Sequence, residues 1–483
     1  MNDTQPSAPA VTPNRPSLHP EWIDGHASGI VKALQKAGHT SYLVGGCVRD
    51  LLLGIIPKDF DIVTMAHPPQ VKRLIHMAFI IGKRFRLVLV KRGDQQFEVA
   101  TFRREFDPAE FPVEEYPDGP PSADNIFGTP EQDAKRRDFT INALFYDPLS
   151  QEIIDYVGGK NDIEARTLRM IGEPDRRLAE DPIRILRAIR FAHKLRFVIE
   201  PGLRASMTRH ASELTKSVLP RRREELLKLL RLDDPCSVLV ECHDLGVLRE
   251  IFPALEQMFA NDANDAAGID RQERFLLRLE SLKSTVLDFA NTGQVFAWLI
   301  ASLVDTLAEE GTTPSEEELN KLMRDELGMY KFEQSLVIDA LKLRRALEKT
   351  ADHRRRGERR LAGIVRREGF VLALRLAAAD LLLNGSDLLF WQQTAEKLRP
   401  EIEAARRERE DRSGGRRSRN RRRPGTKRGD EDSDGEGLAD DLDADESLSV
   451  ASVRSEIETK AALPEASQID ASTASSASDS SSR

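Results

Sequence analysis

The chain has 483 residues, of which 40% are apolar and 6% aromatic, and its formal net charge is −8. This length and composition predict an ordinary soluble protein of two or three globular domains with a helix-rich body. The 72 basic and 80 acidic residues are segregated along the chain, so the negative average does not exclude a polyanionic partner. Three cysteines without the spacing of a disulfide framework or a zinc site indicate a reducing compartment.

The beginning of the chain is polar and rich in proline, and it lacks the apolar core of a secretory signal. No segment has the uninterrupted apolar length of a membrane span. We therefore expect a cytoplasmic protein without a membrane partner. The pattern divides the chain into five predicted segments: a disordered arm (1–19), a head (20–172), a helical neck (173–235), a helical body and tail (236–405) and a disordered end (406–483).

In chain order, a helix is predicted from Trp22 to Lys36, followed by short apolar runs that alternate with turns. The predicted strands are 41–46, 60–64, 85–90 and 96–102. A hairpin is expected to join the last two across Arg92-Gly93-Asp94. Residues 104–124 are acidic and rich in proline, which predicts a long loop.

Residues 131–146 have a helical pattern, 152–172 contain a hairpin candidate at Gly158-Gly159, and 175–400 are predicted to be all helical. The expected fold class is α+β, with a small mixed sheet followed by helices. Beyond residue 405 the charge is sorted into blocks. Residues 412–428 hold nine basic residues and no acid, and 430–446 hold ten acids and no base. A tail of this kind cannot bury a core, so it is expected to be disordered.

A glycine turn is the first candidate for chemistry. Gly45 and Gly46 follow an apolar run and precede a helical stretch that contains Arg49. Glycines there let backbone N–H groups approach a phosphate, and an arginine in the first helical turn supplies a forked donor. A merely structural turn gives the same pattern.

Two aspartates, Asp59 and Asp61, lie two residues apart in a predicted strand, so their side chains project from the same face. Carboxylates this close need a cation between them. Divalent metal ions held there can activate a hydroxyl and neutralise the charge on a leaving pyrophosphate. A third carboxylate is expected from Glu98 or from Asp138, and the sequence leaves both open.

Five motifs in order resemble one family: LVGGCVRDLLLG, PKDFDIVT, FEVATFR, RRDFTINALFYD and EDPIRILRAIRFAHKL. They are similar to the class II nucleotidyltransferases, which comprise bacterial poly(A) polymerases and CCA-adding tRNA nucleotidyltransferases. The resemblance covers about residues 40 to 235. It implies a nucleotidyltransferase head with neck, body and tail helices, ATP as substrate, Mg²⁺ or Mn²⁺ as cofactor, and RNA 3′ ends rather than DNA as partner.

The resemblance also implies roles for individual residues. Asp59 and Asp61 match the metal-binding acids, and Asp138 matches the motif that completes the catalytic site. The residues that would contact the nucleotide are Gly45, Gly46, Arg49, Arg137, Glu180, Asp181, Arg184 and Arg187.

Base recognition has a chemical basis as well. Asp181, Arg184 and Arg187 are spaced by three and are predicted to share one helical face. A carboxylate beside a guanidinium offers an acceptor next to a donor, which complements the edge of adenine. An exposed ion pair between neighbouring turns would explain the same spacing more simply.

Within the family, three features favour poly(A) addition: the basic run 82–88, Asn125–Gly128, and the Arg-rich stretch 406–428. Leu89 stands where that branch commonly has histidine, so CCA addition to tRNA stays open. Two rival functions are those of a catalytically inactive RNA-binding protein and of a small-molecule nucleotidyltransferase. RNA-degradation machinery is a further expected partner.

Basic patches in the helical half suggest phosphate contacts that do not depend on RNA sequence, although each could be a solvated helix face. These patches are Arg221–Arg223, Arg344-Arg345, His353–Arg356 and Arg359-Arg360.

Overall fold

The computed structural model describes residues 19–82, 87–105, 126–259, 270–283, 286–355, 357–400 and 404. The chain divides into two compact units, Met1–Phe259 with Asp325–Gly328, and Ala260–Arg324 with Met329–Arg483. The first unit combines a seven-stranded sheet with helices, and the described residues of the second are helices and connecting turns. The α+β class is therefore confirmed, whereas the predicted borders after residues 172 and 235 stay predictions.

The sheet of the first unit has the strand order β3-β4-β5-β2-β1-β6-β7. Its strands are β1 (Ser41–Val44), β2 (Asp61–Thr64), β3 (Ala78–Ile81), β4 (Leu87–Arg92), β5 (Gln95–Thr101), β6 (Leu144–Asp147) and β7 (Glu152–Asp155). β2 pairs with β5 in parallel and the other neighbours pair antiparallel, which makes the sheet mixed, as predicted. The predicted hairpin is β4–β5, and Gly93 turns it with a φ of 58°.

Five helices accompany the sheet: α1 (Gly25–Lys36), α2 (Gly46–Leu52), α3 (Pro68–Leu74), α4 (Pro130–Arg136) and α5 (Gly159–Glu164). The first begins at Gly25 rather than at Trp22, because the Asp24 carboxylate accepts the backbone N–H groups of His26 and Ala27 at 2.7 and 3.0 Å. This side-chain cap satisfies donors that the first helical turn leaves without a partner.

The predicted helix over 131–146 is wrong beyond Arg136. A short 3-10 turn covers Thr140–Asn142, and β6 follows. Phe145 on β6 is fully buried and packs edge-to-face with Phe102 at a ring-centroid distance of 6.1 Å. Because the strand is buried on both faces, its continuous apolar run lacks the alternation that identifies a strand in sequence.

The predicted hairpin at Gly158-Gly159 is also wrong. The hairpin in this region pairs β6 with β7, and Gly158, with a φ of 84°, instead precedes α5. The Asp155 carboxylate accepts backbone N–H groups from Val157 to Lys160 at 2.9–3.1 Å and so fixes the start of α5.

Seven more helices complete the first unit: α6 (Pro174–Glu180), α7 (Arg184–Leu195), α8 (Pro201–His210), α9 (Leu219–Leu230), α10 (Pro235–Asp244), α11 (Val247–Ile251) and α12 (Pro253–Glu256). The prediction that residues 175–400 are all helical is wrong at one place. Strand β9 (Val198–Ile199) pairs in parallel with β8 (Thr167–Leu168). The two-residue strand is too short to give a periodic signal.

The second unit contains α13 (Arg271–Leu282), α14 (Thr292–Glu309), α15 (Glu316–Lys321), α16 (Lys331–Leu347), α17 (Thr350–Arg354), α18 (Glu358–Val365), α19 (Phe370–Ala379) and a helix over 385–400. Arg344 on α16 is 2% exposed and donates to Asp305 on α14 at 2.6 Å. It is therefore part of a buried ion pair, and the prediction of a surface basic patch at this residue is wrong.

None of the helices in the described ranges is long and apolar enough to cross a membrane. The cytoplasmic location stays a prediction. Several predictions concern segments outside the described residues: the arm before residue 19, the basic run at 83–86, residues 106–125, and the charged tail beyond residue 404.

Gly159 gives a test of how the sheet and its helices pack. A Cβ atom there would lie 2.2 Å from the carbonyl oxygen of Thr140, so a methyl group would force the turn at Thr140–Asn142 to move. We expect Gly159→Ala to lower the free energy of unfolding by about 2 to 3 kcal/mol, measured by urea denaturation.

Gly29→Ala is the matched control, because a Cβ atom at Gly29 within α1 meets nothing within 4 Å. Alanine at such an open helical position should stabilise the protein by about 0.5 to 1 kcal/mol. Equal effects of the two substitutions would contradict the packing described here.

Candidate active site

A glycine turn forms one edge of the candidate site. Gly45 has φ 79° and ψ −127° between β1 and α2, a backbone conformation that favours glycine. Its N–H donates to the Leu144 carbonyl oxygen at 3.0 Å, and a Cβ atom would lie 3.2 Å from Nη1 of Arg137. The turn thus places Gly45 beside the Arg137 guanidinium, and a Cβ atom on Gly46 would lie 3.7 Å from Nη2 of Arg49.

Arg49 in α2 lines the same cleft, although its guanidinium is already engaged. Its Nη1 donates to Oδ1 of Asn142 at 2.6 Å, and its Nε and Nη2 donate to Oδ1 of Asp50 at 2.8 and 2.6 Å. The side chain is 4% exposed. Arg49 therefore contributes a fixed positive charge to the wall of the cleft rather than a mobile donor.

Arg137 is the more accessible of the two arginines. Its Nε donates to Oδ2 of Asp133 at 3.1 Å and its Nη1 donates to the Asn142 carbonyl oxygen at 3.2 Å. These bonds hold the guanidinium beside Gly45 and within electrostatic range of Asp61.

Asp61 is the first residue of β2 and lies on the cleft wall. Ile62 pairs with Val99 on β5, so Glu98 lies next to Asp61 on the neighbouring strand. The Asp61 side chain is exposed at the cleft, but the protein around it reduces its hydration and so raises its pKa; the carboxylates of Glu98 and Asp59 raise the pKa further, and Arg137 opposes them. Asp59 is exposed and is not among the residues that line the cleft.

This arrangement fits a cation. Glu98 and Asp59 raise the pKa of Asp61, which shows that the three carboxylates create a negative field. A divalent ion would relieve this field, and carboxylate oxygens are the ligands that Mg²⁺ prefers. Across the residues that the structure describes, no group of three His, Cys, Asp or Glu side chains is arranged closely enough to enclose a metal ion. Asp59, Asp61 and Glu98 are therefore not arranged to enclose one together, and their role as ligands stays a prediction.

Asp138 has a different environment from Asp61. Its Oδ2 accepts from Nε and Nη2 of Arg187 at 2.9 and 2.5 Å, and its Oδ1 accepts from the backbone of Phe139 at 2.8 Å and from Asn142 at 3.2 Å. Burial alone would raise its pKa, but Arg187 and these hydrogen bonds hold the pKa below the usual value. Both oxygens accept hydrogen bonds from the protein, and the predicted catalytic role of Asp138 stays a prediction.

The predicted base-reading residues lie at the junction of α6 and α7. Asp181 accepts a two-pronged ion pair from Arg221 at 2.8 and 3.1 Å. Arg184 donates to the Arg177 carbonyl oxygen at 2.6 Å. Asp181 lies at the end of α6 and α7 begins at Arg184, so the prediction that one helix presents Asp181, Arg184 and Arg187 is wrong. All three nevertheless line one cleft.

Glu180 is not among the cleft residues. It accepts from Arg176 and Arg177 at 3.0 Å and lies 3.4 Å from Nη1 of Arg184. Its position suits a residue that holds the Arg184 side chain in place. Direct contact between Glu180 and a nucleotide stays a prediction.

The assembled cleft has a volume of about 540 Å³ and carries seven basic and three acidic side chains. The sequence reasoning missed four of its residues: Asn142, Arg190, Phe191 and Lys194. It singled out Arg221 only as part of a basic patch, whereas the structure places Arg221 in the cleft. Phe191 and Lys194 follow Arg184 and Arg187 on one face of α7, so helical periodicity could have found them. The excess of positive charge suits a polyanionic ligand such as a nucleoside triphosphate.

The ion pair of Asp138 and Arg187 gives a prediction on pH dependence. Asp138→Asn removes the nearest counter-ion of the half-buried Arg187 guanidinium and leaves only Glu225, at 3.9 Å, as an ion-pair partner, so we expect a loss of roughly 3 kcal/mol in unfolding free energy at pH 7. Because the folded pKa of Asp138 is lowered, this contribution is present above the unfolded pKa of about 3.9 and is lost as the pH falls towards the folded pKa.

The measurement compares urea denaturation of wild type and Asp138→Asn between neutral pH and pH 3. The difference in unfolding free energy should shrink below about pH 4. A difference that stays constant over this range would show that the ion pair is not its source.

Comparison with known proteins agrees with this geometry. Residues 41–169 match the family model described as the poly A polymerase head domain. Residues 196–259 match the model described as the probable RNA and SrmB-binding site of polymerase A. The first match covers the sheet and the cleft residues from Gly45 to Asn142, and the second covers helices α8 to α12 with the short strand β9. The cleft residues on α7 and at Asp181 lie between the two matches.

Curated relatives include poly(A) polymerase I of Salmonella typhimurium, 40% identical over 247 residues, which are 50% of this chain and 53% of the relative. The CCA-adding enzyme of Bacillus subtilis is 37% identical over 202 residues, 42% of this chain and 49% of the relative. The chain thus spans about half the length of the curated relatives it matches.

Among solved structures, the Bacillus stearothermophilus CCA-adding enzyme in complex with CTP resembles the chain with a TM-score of 0.53 and 25% identity. The match covers 78% of this chain and 82% of that enzyme. Residues 41–169 are therefore identified as a poly A polymerase head domain and residues 196–259 as a segment similar to the RNA-binding site of polymerase A, and the relatives that match are poly(A) polymerases and CCA-adding enzymes.

Proposed function

We propose that the protein transfers AMP from ATP to the 3′ hydroxyl of RNA without a template and releases pyrophosphate. The observation that carries this proposal is the single cleft in which the acidic centre at Asp61, the cationic wall of Arg49 and Arg137, and the pair Asp181 and Arg184 meet. These three groups supply the requirements of nucleotidyl transfer: a cation site, a triphosphate site and a site that recognises the base.

Asp59 and Asp61 would hold Mg²⁺ or Mn²⁺, with Glu98 adding negative charge beside them. When bound, the metal ion supplies charge neutralisation at the phosphates and activation of the attacking hydroxyl. Asp61, at the start of β2 and on the wall of the cleft, is the residue of this group best placed to face a nucleotide.

In the reaction, the 3′ oxygen of RNA forms a bond to the α-phosphorus of ATP while the bond from that phosphorus to pyrophosphate breaks. The Arg137 guanidinium and the fixed charge of Arg49 hold the phosphates that leave as pyrophosphate. Fixed cations need no reorganisation as negative charge develops, which is how a preformed site lowers a barrier.

Base selection would rest on Asp181 and Arg184. The carboxylate accepts a hydrogen bond from the N6 amino group of adenine, and the guanidinium donates to N1. Arg221 and Glu180 orient the two side chains through the ion pairs that they make. With both partners fixed by protein, an RNA template is not required.

Poly(A) addition is the activity we favour, because the matched segment of the poly(A) polymerase is longer than that of the CCA-adding enzyme, 247 against 202 residues. CCA addition to tRNA is the second candidate, supported by the similar identity of 37% and by the solved CCA-adding enzyme. We further propose that RNA-degradation machinery is a partner, supported by the segment similar to an RNA and SrmB-binding site.

The direct experiment extends two labelled RNAs, a generic 3′ end and a tRNA that lacks its terminal CCA, with each nucleotide separately. We expect a ladder with ATP alone on the generic RNA and a loss of at least about 1000-fold in Asp61→Ala, as for removal of a group that stabilises transition-state charge. Additions confined to tRNA that need CTP and ATP would instead identify the CCA-adding activity. The absence of any extension would contradict both.

Glu98 provides a test of the cation site. We expect Glu98→Gln to raise the Mg²⁺ concentration needed for half-maximal extension by about tenfold, because it removes one negative charge beside Asp61. Glu152→Gln is the matched control, since Glu152 is an exposed strand residue on β7, at the opposite end of the sheet. An unchanged metal requirement in Glu98→Gln would exclude Glu98 from the cation site.

A further inference from the structure

Three cationic side chains of the cleft lie over a single aromatic ring, that of Phe191 on α7. The guanidinium carbons of Arg190, Arg49 and Arg187 are 4.3, 5.3 and 5.5 Å from the ring centroid. A cation within about 6 Å of a ring centroid is attracted by the negative charge of the ring face. All four residues line the nucleotide cleft, so one ring contacts three of the cations that face a ligand there.

The ring of Phe191 has a fixed position. Its side chain is buried, and Phe139 packs against it in an edge-to-face contact with ring centroids 5.7 Å apart. Phe139 is itself fully buried and comes directly after Asp138 in the chain. Contacts of this geometry stabilise a pair of aromatic rings beyond the burial of their surface. Phe191 therefore offers a rigid surface on which flexible arginine side chains can be ordered.

The guanidinium groups around this ring repel one another. Burial lowers the pKa of Arg190, the Glu225 carboxylate opposes this, and the positive charge of Arg187 lowers the pKa further. Arg187 and Arg190 are three residues apart on α7, so they lie on neighbouring turns of one helix, whereas Arg49 comes from α2. An attraction to a shared surface opposes the tendency of these cations to move apart.

Carboxylates also hold the arginines, but not at a common point. The ion pairs join Arg49 to Asp50, Arg187 to Asp138 and Arg190 to Glu225, with nitrogen–oxygen distances of 2.6, 2.5 and 2.8 Å. The three carboxylates lie on α2, after α4 and on α9. Each ion pair thus ties one arginine to a different element, and the ring of Phe191 is the surface that relates the three arginines to one another.

A triphosphate needs cations at a defined spacing. Its charge is spread over three linked phosphates, and guanidinium groups that are already in place bind them without a further cost of ordering. AMP has a single phosphate and gains less from such an array. The side chain of Phe191 has no polar atom, so any effect that it has on the binding of phosphates acts through the arginines.

We infer that Phe191 is a positioning residue for the triphosphate: its ring holds Arg49, Arg187 and Arg190 at the spacing at which they bind the phosphates of ATP. The inference rests on the proposed function, because it assumes that ATP occupies the cleft. It deepens that function by tracing the preference for a triphosphate over a monophosphate to the face of an uncharged ring. A ring that only fills space would have no such effect as long as its shape is kept.

The test changes the charge of the ring face and keeps the shape of the ring. Phe191 is replaced in the full-length protein by mono-, di- and trifluorinated phenylalanine, which withdraw electron density from the ring face while fluorine stays close to hydrogen in size. We expect the dissociation constant of ATP, measured by calorimetry with Mg²⁺ present, to rise with each fluorine and to reach about tenfold in the trifluorinated protein. The dissociation constant of AMP should change by less than about twofold.

The matched control places the same fluorinated residues at Phe252, a buried ring of the same unit over which no cation lies in the part of the chain that the structure describes. It should leave both dissociation constants as in wild type. ATP binding that is unchanged or tighter across the Phe191 series, or an equal loss for ATP and AMP, would overturn the inference. A wild-type protein that does not bind ATP would instead contradict the proposed function itself.

Discussion

The ion pair between Asp138 and Arg187 is the interaction on which the site depends. Asp138 follows α4 in the sheet-bearing part of the first unit, and Arg187 lies on α7, 49 residues later. Because both oxygens of Asp138 are used, the pair fixes the distance from the sheet to α7. The acidic centre at Asp61 and the residues proposed to read the base can face each other only when this distance is set.

The charge distribution of the cleft suits the three tasks that we propose for it. Seven basic side chains surround three aspartates, and each aspartate has a different environment. Asp138 forms an ion pair with Arg187, and Asp181 forms one with Arg221. Among the charged neighbours of Asp61, the carboxylate of Glu98 has the largest effect on its pKa, and Arg137 has the next largest. The aspartate with the raised pKa is thus the one that we propose to bind a cation, while the lowered pKa of Asp138 results from its ion pair with Arg187 and its hydrogen bonds.

Local chemistry could be predicted from the sequence, and contacts between distant segments could not. The turn at Gly45 and the strand that begins at Asp61 follow from glycine and alternating-residue patterns within a few positions. The sequence could not decide whether Glu98 or Asp138 is the third carboxylate. The distance from Glu98 to Asp61 depends on the parallel pairing of β2 with β5, and the environment of Asp138 depends on the position of α7. Strand β6 falls within the predicted helix over 131–146, because its buried apolar residues do not alternate with polar ones as in a half-exposed strand.

The claim at the centre of this account is that Asp61 holds the cation for nucleotidyl transfer. Asp61→Cys tests it most directly, because a thiolate binds soft metal ions well and Mg²⁺ poorly. RNA extension by this variant should be lost with Mg²⁺ and partly restored with Mn²⁺ or Cd²⁺, while Asp61→Ala stays inactive with every metal. Activity of Asp61→Cys with Mg²⁺ equal to that of wild type, or its inactivity with all three metals despite a native fold, would contradict the assignment.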